Sequence, residues 1–140
     1  MLHALTNERG ETIIDLDLTY YFSAPMAGYH ENNFKYFEEA VSLLRSSGVK
    51  VVSPHEIEHP QYQGLLTELK DTETWARYLA KDLVHMLQET HGIILGKGWP
   101  ESRGAKLELD VCLQLARPVY YLSLDELTLF RMSKNGSPLR

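Results

Sequence analysis

Residues 91–117 constrain the fold of this chain more than any other stretch. A short apolar run at 91–95 (HGIIL) leads into a Gly- and Ser-bearing loop, then into a helically spaced segment that closes before Arg117-Pro118. A short strand, a loop and a helix in that order are how α/β folds build a site at the C-terminal edge of a sheet. The loop offers backbone N–H groups and a helix N-terminus to an anion. A carboxylate, Glu108, lies six residues beyond Ser102, about one and a half helical turns.

The rest of the chain repeats this alternation. Residues 16–23 (LDLTYYFS) are rich in β-formers and end at Ala24-Pro25, which cannot continue a central strand. A loop at 25–33 carries Gly28. Asn32 or Asn33 then stands where a cap is needed for a helix over 34–46, with Phe37, Ala40, Val41, Leu43 and Leu44 at helical spacing. Gly48 closes that helix, and 49–53 reads as a second strand before Pro54. Residues 55–69, with Pro60 and Gly64, read as a long loop or a short lid-like helix. Asp71 or Thr72 opens a helix to about Glu89, with Trp75, Tyr78, Leu79, Leu83, Met86 and Leu87 on its apolar stripe. A third strand at 91–95, a third helix at 104–116 and a fourth strand at 119–122 follow, then a short helix near 124–132 and a frayed tail at 133–140. These elements predict a single domain over 1–140 with an N-terminal arm at about 1–15. Its fold class is α/β, three-layer and Rossmann-like: a mostly parallel sheet of about four to five strands with helices on both faces.

Composition narrows the function. With 140 residues, 44% of them apolar and 24% charged, the chain can bury one real core. A net charge of -5 leaves no basic face for duplex nucleic acid, while a nucleotide needs only a local cradle of donors. Cys112 is the only cysteine, which excludes an intramolecular disulfide and a Cys-rich zinc site. No run approaches about 18 apolar residues and no basic-then-apolar leader opens the chain, so a cytoplasmic protein without a membrane partner is expected.

Three polar groups fall where strand ends meet loops or helices: Tyr21 with the loop at 24–28, Asp82 within the long helix, and the Ser102, Gly104 and Glu108 cluster. Glu108 shares a helical stripe with Ala105, Leu109, Cys112, Leu113 and Ala116, a position that resists full solvation. The alternative is a rim carboxylate paired with Lys106 or Lys81. Asp82 reads either as the edge of a buried stripe or, beside Lys81, as part of a charged helix face. Ser102 is a preferred N-cap residue, and a cap and an anion address the same N–H groups. His55 and His59 are four apart, but Pro54 and Pro60 interrupt the helix such a metal pair needs, and no HExxH occurs. GxGxxG and GxxxxGK[ST] are also missing, so no metal and no cofactor is implied. Cys112 lies on the apolar face and reads as a small core residue. Phosphate-type donors beside a lone carboxylate point to chemistry on a phosphorylated sugar.

The segments YYFSAPMAG, GVKVVSPHE, the helix holding Asp82, and GWPESRGAKLELDVCLQLARPVYYL resemble the nucleoside 2-deoxyribosyltransferase superfamily. The likeness is closest to its small phage and bacterial branch, similar to nucleoside 5′-monophosphate N-glycosidases, and spans about residues 18–122. It implies a nucleoside deoxyribosyltransferase-like fold and cleavage of an N-glycosidic bond. By that resemblance Glu108 is the nucleophile, Asp82 orients the base and sugar or protonates the leaving base, and Tyr21 lies beside the nucleophile and positions it by a hydrogen bond. Six residues before the nucleophile, relatives acting on free nucleosides carry Asp, and the 5′-monophosphate hydrolases carry Ser. Ser102 therefore implies a phosphate subsite, with Arg103 and Gly104, since a carboxylate there would repel the dianion. Pro25, Met26, Gly28 and Trp99 are expected against the base or sugar, and a homodimer or higher homo-oligomer is expected. The chain departs from the pattern at Ala24 in place of Gly, at His91 and Asp110, and at Ala116-Arg117 in place of a Gly-Lys turn.

The expected function is hydrolysis of a (deoxy)ribonucleoside 5′-monophosphate to free base and sugar phosphate. The alternatives are a nucleoside 2-deoxyribosyltransferase, a hydrolase of NAD- or ADP-ribose-type N-ribosides, and a non-catalytic nucleotide-binding protein.

Overall fold

A computed structural model describes residues 2, 13–26, 29–57, 72–133 and 138–139. Within them the chain runs β1 (Thr19–Ser23), α1 (Phe34–Ser46), β2 (Lys50–Val52), α2 (Thr72–Glu89), β3 (Gly92–Leu95), α3 (Arg103–Gln114), β4 (Val119–Ser123), β5 (Thr128–Met132) and β6 (Pro138–Leu139). Short 3-10 turns occupy His30–Asn33, Pro54–Glu56 and Trp99–Glu101. The strands form one sheet in the order β2-β1-β3-β4-β5-β6. The pairings among β2, β1, β3 and β4 are parallel, and β5 and β6 add on antiparallel.

The topology decides where the helices go. From β1 the chain steps outward to β2, then returns past β1 to β3 on its other side. Right-handed crossovers in opposite directions put their helices on opposite faces of a sheet. Side-chain alternation along the strands matches this. Tyr20 and Phe22 of β1, Ile94 of β3, and Tyr120 and Leu122 of β4 share a core with Phe37, Ala40, Val41 and Leu44 of α1. Tyr21 of β1 and Ile93 and Leu95 of β3 share the opposite core with Met86 of α2 and Cys112 of α3. Edge-to-face ring contacts, Phe22 on Phe37 at 5.4 Å and Tyr20 on Tyr120 at 5.6 Å, add to the first core. The chain thus has a Rossmann-like α/β fold, and its strand order reverses between β1 and β3.

Helix ends explain two sequence signals. At the end of α1 the N–H groups of Gly48 and Val49 return to the carbonyls of Arg45 and Leu44, with Gly48 at φ +91. At the end of α3 Ala116 and Arg117 bond back to Leu113 and Cys112 in the same pattern, but the left-handed residue is Ala116 at φ +55. Arg117 reaches from there to the carbonyls of Met86, Leu87 and Thr90, closing the C-terminus of α2.

Several expectations need correction. The segment expected as a helix near 124–132 is a turn followed by β5, which pairs with β4. The tail expected to fray carries β6, so the sheet has six strands among the described residues. The first strand begins at Thr19 because residues 15–18 form a turn. Asn33 does stand at the N-cap of α1, but in a left-handed conformation without a capping bond, and its side-chain N–H donates to the carbonyl of Pro25. Leu87 of α2 is 38% exposed, off the buried stripe. The lid-like reading of 55–69 falls largely outside the described residues.

Candidate functional site

The strand period that sends Tyr20 and Phe22 toward α1 sends Tyr21 and Ser23 toward α2 and α3. On α3, Ala105, Glu108 and Cys112 form the buried stripe that packs on that face. Glu108 is therefore carried inward on a helix that has no other way to bury its apolar residues. Glu108 is 6% exposed, and Ser23 Oγ donates to Glu108 Oε1 at 2.7 Å. Asp82 approaches from α2 and is itself buried.

Three effects set the state of this cluster. Burial pushes the Glu108 carboxyl up to about 8, and the Asp82 charge adds to the rise. The hydrogen bond from Ser23 opposes it, as does the nearby Tyr21 hydroxyl. Tyr21 is fully buried, and its own hydroxyl is held well above the ordinary tyrosine range by burial, then by Glu108 and Asp82. It stays neutral, and it is close enough to Glu108 to influence the carboxyl. Its oxygen nevertheless makes no hydrogen bond of acceptable geometry. Tyr21 thus stands beside Glu108 and acts on its carboxyl, while the short bond at 2.7 Å comes from Ser23.

The loop before α3 forms the second part. Gly98 sits at φ +86, and a Cβ there would come within 2.9 Å of the Tyr29 hydroxyl and 3.0 Å of Pro25 Cγ, so only glycine lets the two loops meet. Ser102 caps α3, its Oγ accepting from the N–H of Ala105 at 3.1 Å. A Cβ on Gly104 would meet nothing within 4 Å, so that position in the first turn of α3 faces open space. The Arg103 guanidinium lies 3.9 Å over the Trp75 ring, tying the starts of α3 and α2 together.

Glu108, Asp82 and Tyr21 are brought together, and Ser102, Arg103 and Gly104 share the N-terminal turn of the same helix. The rim-carboxylate reading of Glu108 is overturned, since the residue is buried and Ser23 donates to its carboxyl. Asp82 is buried rather than part of a solvated face. Trp99 and Met26 pack against opposite cores, and Pro25 is buried under the loop. Gly28 lies outside the described residues. Ser23 is the residue sequence reasoning missed, and its signal was its place two residues after Tyr21, on the same strand face.

Residues 18–121 match the family described as a domain of unknown function (DUF4406). The chain belongs to this family. The DUF4406 match begins just before β1 and ends within β4, enclosing every residue of the cluster. No curated protein matches the sequence. Among solved structures, the DUF4406 chain is similar to a 2-deoxyribosyltransferase from the psychrotolerant bacterium Bacillus psychrosaccharolyticus, at 24% identity and a TM-score of 0.54 over 75% of this chain and 72% of that one. It is also similar to a conserved protein from Enterococcus faecalis V583, at 17% identity and a TM-score of 0.51 over 77% of this chain and 64% of that one. These likenesses establish a distant fold relationship to deoxyribosyltransferase-like proteins.

Among the described residues of the DUF4406 chain, no three His, Cys, Asp or Glu side chains converge as a metal ion requires. No described helix is long and apolar enough to cross a membrane. A cavity of about 720 Å³ opens where Tyr20, Arg117, Tyr120 and Arg131 meet, and none of the residues around Glu108 lines it.

Proposed function

We propose that this protein cleaves the N-glycosidic bond of a nucleoside or nucleoside 5′-monophosphate through Glu108. The observation that carries this is a buried carboxyl with one oxygen held by Ser23, beside Asp82 and Tyr21, at the carboxyl ends of β1 and β3. In open α/β sheets that is the switch point where ligands bind. Ionised Glu108 attacks the anomeric carbon as the C–N bond breaks, and the bonding pair leaves with the base, which Asp82 orients and which takes its proton from water. The resulting glycosyl ester is released by water or by a second base, and the Glu108 carboxylate is regenerated.

Two outcomes follow from that ester. The fold relationship to a 2-deoxyribosyltransferase favours transfer of the sugar to another base. Ser102 and the open Gly104 position at the start of α3 favour a substrate phosphate at that helix end, and with it hydrolysis of a 5′-monophosphate. Chromatography of free base from ribo- and deoxyribonucleosides and their 5′-monophosphates, each with and without an acceptor base, separates them. Base released faster from monophosphates supports the phosphate subsite. Faster turnover of unphosphorylated nucleosides, with a new nucleoside formed from the acceptor, assigns transfer instead. No release from any substrate overturns both.

A further inference from the structure

Ser23 is fully buried at the last position of β1, opposite Leu95 in the parallel register with β3. Its carbonyl accepts from the N–H of Gly96 at 2.8 Å, so the sheet fixes the backbone from which its hydroxyl projects. That hydroxyl donates to Glu108 Oε1 at 2.7 Å across 85 residues of sequence. We infer that Ser23 is the positioning residue of this site, holding Oε1 of Glu108 from the rigid sheet so that Oε2 is the oxygen that forms the bond to the sugar. This rests on the nucleophilic role of Glu108 proposed above.

The groups facing the carboxyl can be named from each element packed on it. Ser23 and Tyr21 come from β1, Asp82 from α2, and Cys112 lies one turn further along α3. Ser23 donates to it at 2.7 Å, and Asp82 pushes toward the neutral acid. A hydrogen bond to the charged form favours that form. Ser23 thereby serves twice, by fixing which oxygen is free and by keeping the carboxyl ionisable in a buried place. A merely structural serine would do neither.

The test uses the full chain with 13C-labelled glutamate side chains, the Glu108 signal being assigned by its loss in Glu108→Gln. Ser23→Ala is expected to move the Glu108 titration midpoint up by about one pH unit or more. With substrate turning over, kcat at pH 7 should then fall about tenfold, while KM changes by less than about twofold. Ser23→Thr, which restores the hydroxyl, should bring the midpoint back toward that of the unaltered chain. Where Ser23→Ala fails to fold by near-UV circular dichroism, Ser23→Cys, a weak donor of similar shape, should shift the midpoint in the same direction. An unchanged midpoint in a folded variant overturns the inference. If the unaltered chain releases no base, the proposed reaction falls, while the substrate-free titration still decides whether Ser23 holds Glu108.

Discussion

At Glu108 burial and chemistry pull in opposite directions. A nucleophilic carboxylate must be ionised, yet burial raises this group to about 8. The consequence for rate is that kcat/KM, which reports the free enzyme, should rise about tenfold per pH unit up to about pH 8 and then level. The consequence for stability has a definite sign. The folded chain binds this proton more tightly than the unfolded one, so the contribution is full below the ordinary value of 4.5 and is lost as pH rises to about 8. Glu108→Gln, which stays neutral, should therefore gain stability relative to the unaltered chain between pH 5 and pH 9, by on the order of a few kcal/mol at most. Denaturant melts at the two pH values measure it, and an equal difference at both would refute it. Ala116 offers a second test at this scale. It occupies the left-handed position that Gly48 fills at the end of α1, a conformation that costs an L-residue about 1 kcal/mol. Ala116→Gly should raise the melting temperature by a few degrees, and a lower value would show that the turn is not strained. Glu108 could be found in the sequence because it shares a stripe with Ala105 and Cys112. Its partner could not, because helical and strand periods say nothing about which strand residue meets which helix residue.

Among the elements, α3 carries most of the functional argument. Its N-terminal turn leaves Gly104 facing open space, with Ser102 as cap. If a substrate phosphate docks there, Gly104→Ala should leave stability within about 1 kcal/mol while raising KM for monophosphates several-fold and leaving nucleosides unaffected. Equal effects on both substrate sets would remove phosphate from that turn. Ser102→Ala should weaken the same substrates and also cost about 1 kcal/mol of stability, because it removes the cap. The elements themselves were legible wherever hydrophobic period and punctuation agreed. The helix at Phe34–Ser46 shows this, with Phe37, Ala40, Val41 and Leu44 all buried. They were not legible at 124–132, where LDEL has good helix formers. There Leu127 turns left-handed at φ +49, and the open edge of β4 draws Thr128–Met132 into a ladder. Tertiary pairing overrode local preference. Similarly, nothing in the tail's composition announced that Pro138–Leu139 would pair with β5.

For the molecule as a whole, one topological fact places the site. The strand order reverses between β1 and β3, so α1 covers one face and α2 and α3 the other. At that reversal Ser23, Tyr21, Asp82 and Glu108 converge from β1, α2 and α3, and the α/β alternation in the sequence was enough to predict both faces of helices. The sequence did not show the two antiparallel strands that extend the sheet beyond β4, on the side away from the cluster. The DUF4406 match covers this same parallel half of the fold. The central claim is that Glu108 performs the chemistry of this site. The most direct measurement is free-base release from nucleosides and nucleoside 5′-monophosphates by the unaltered chain and by Glu108→Gln at pH 8, with ligand affinity measured alongside. The account predicts loss of turnover by at least about a thousandfold with binding largely retained. Turnover by Glu108→Gln at the rate of the unaltered chain would contradict it.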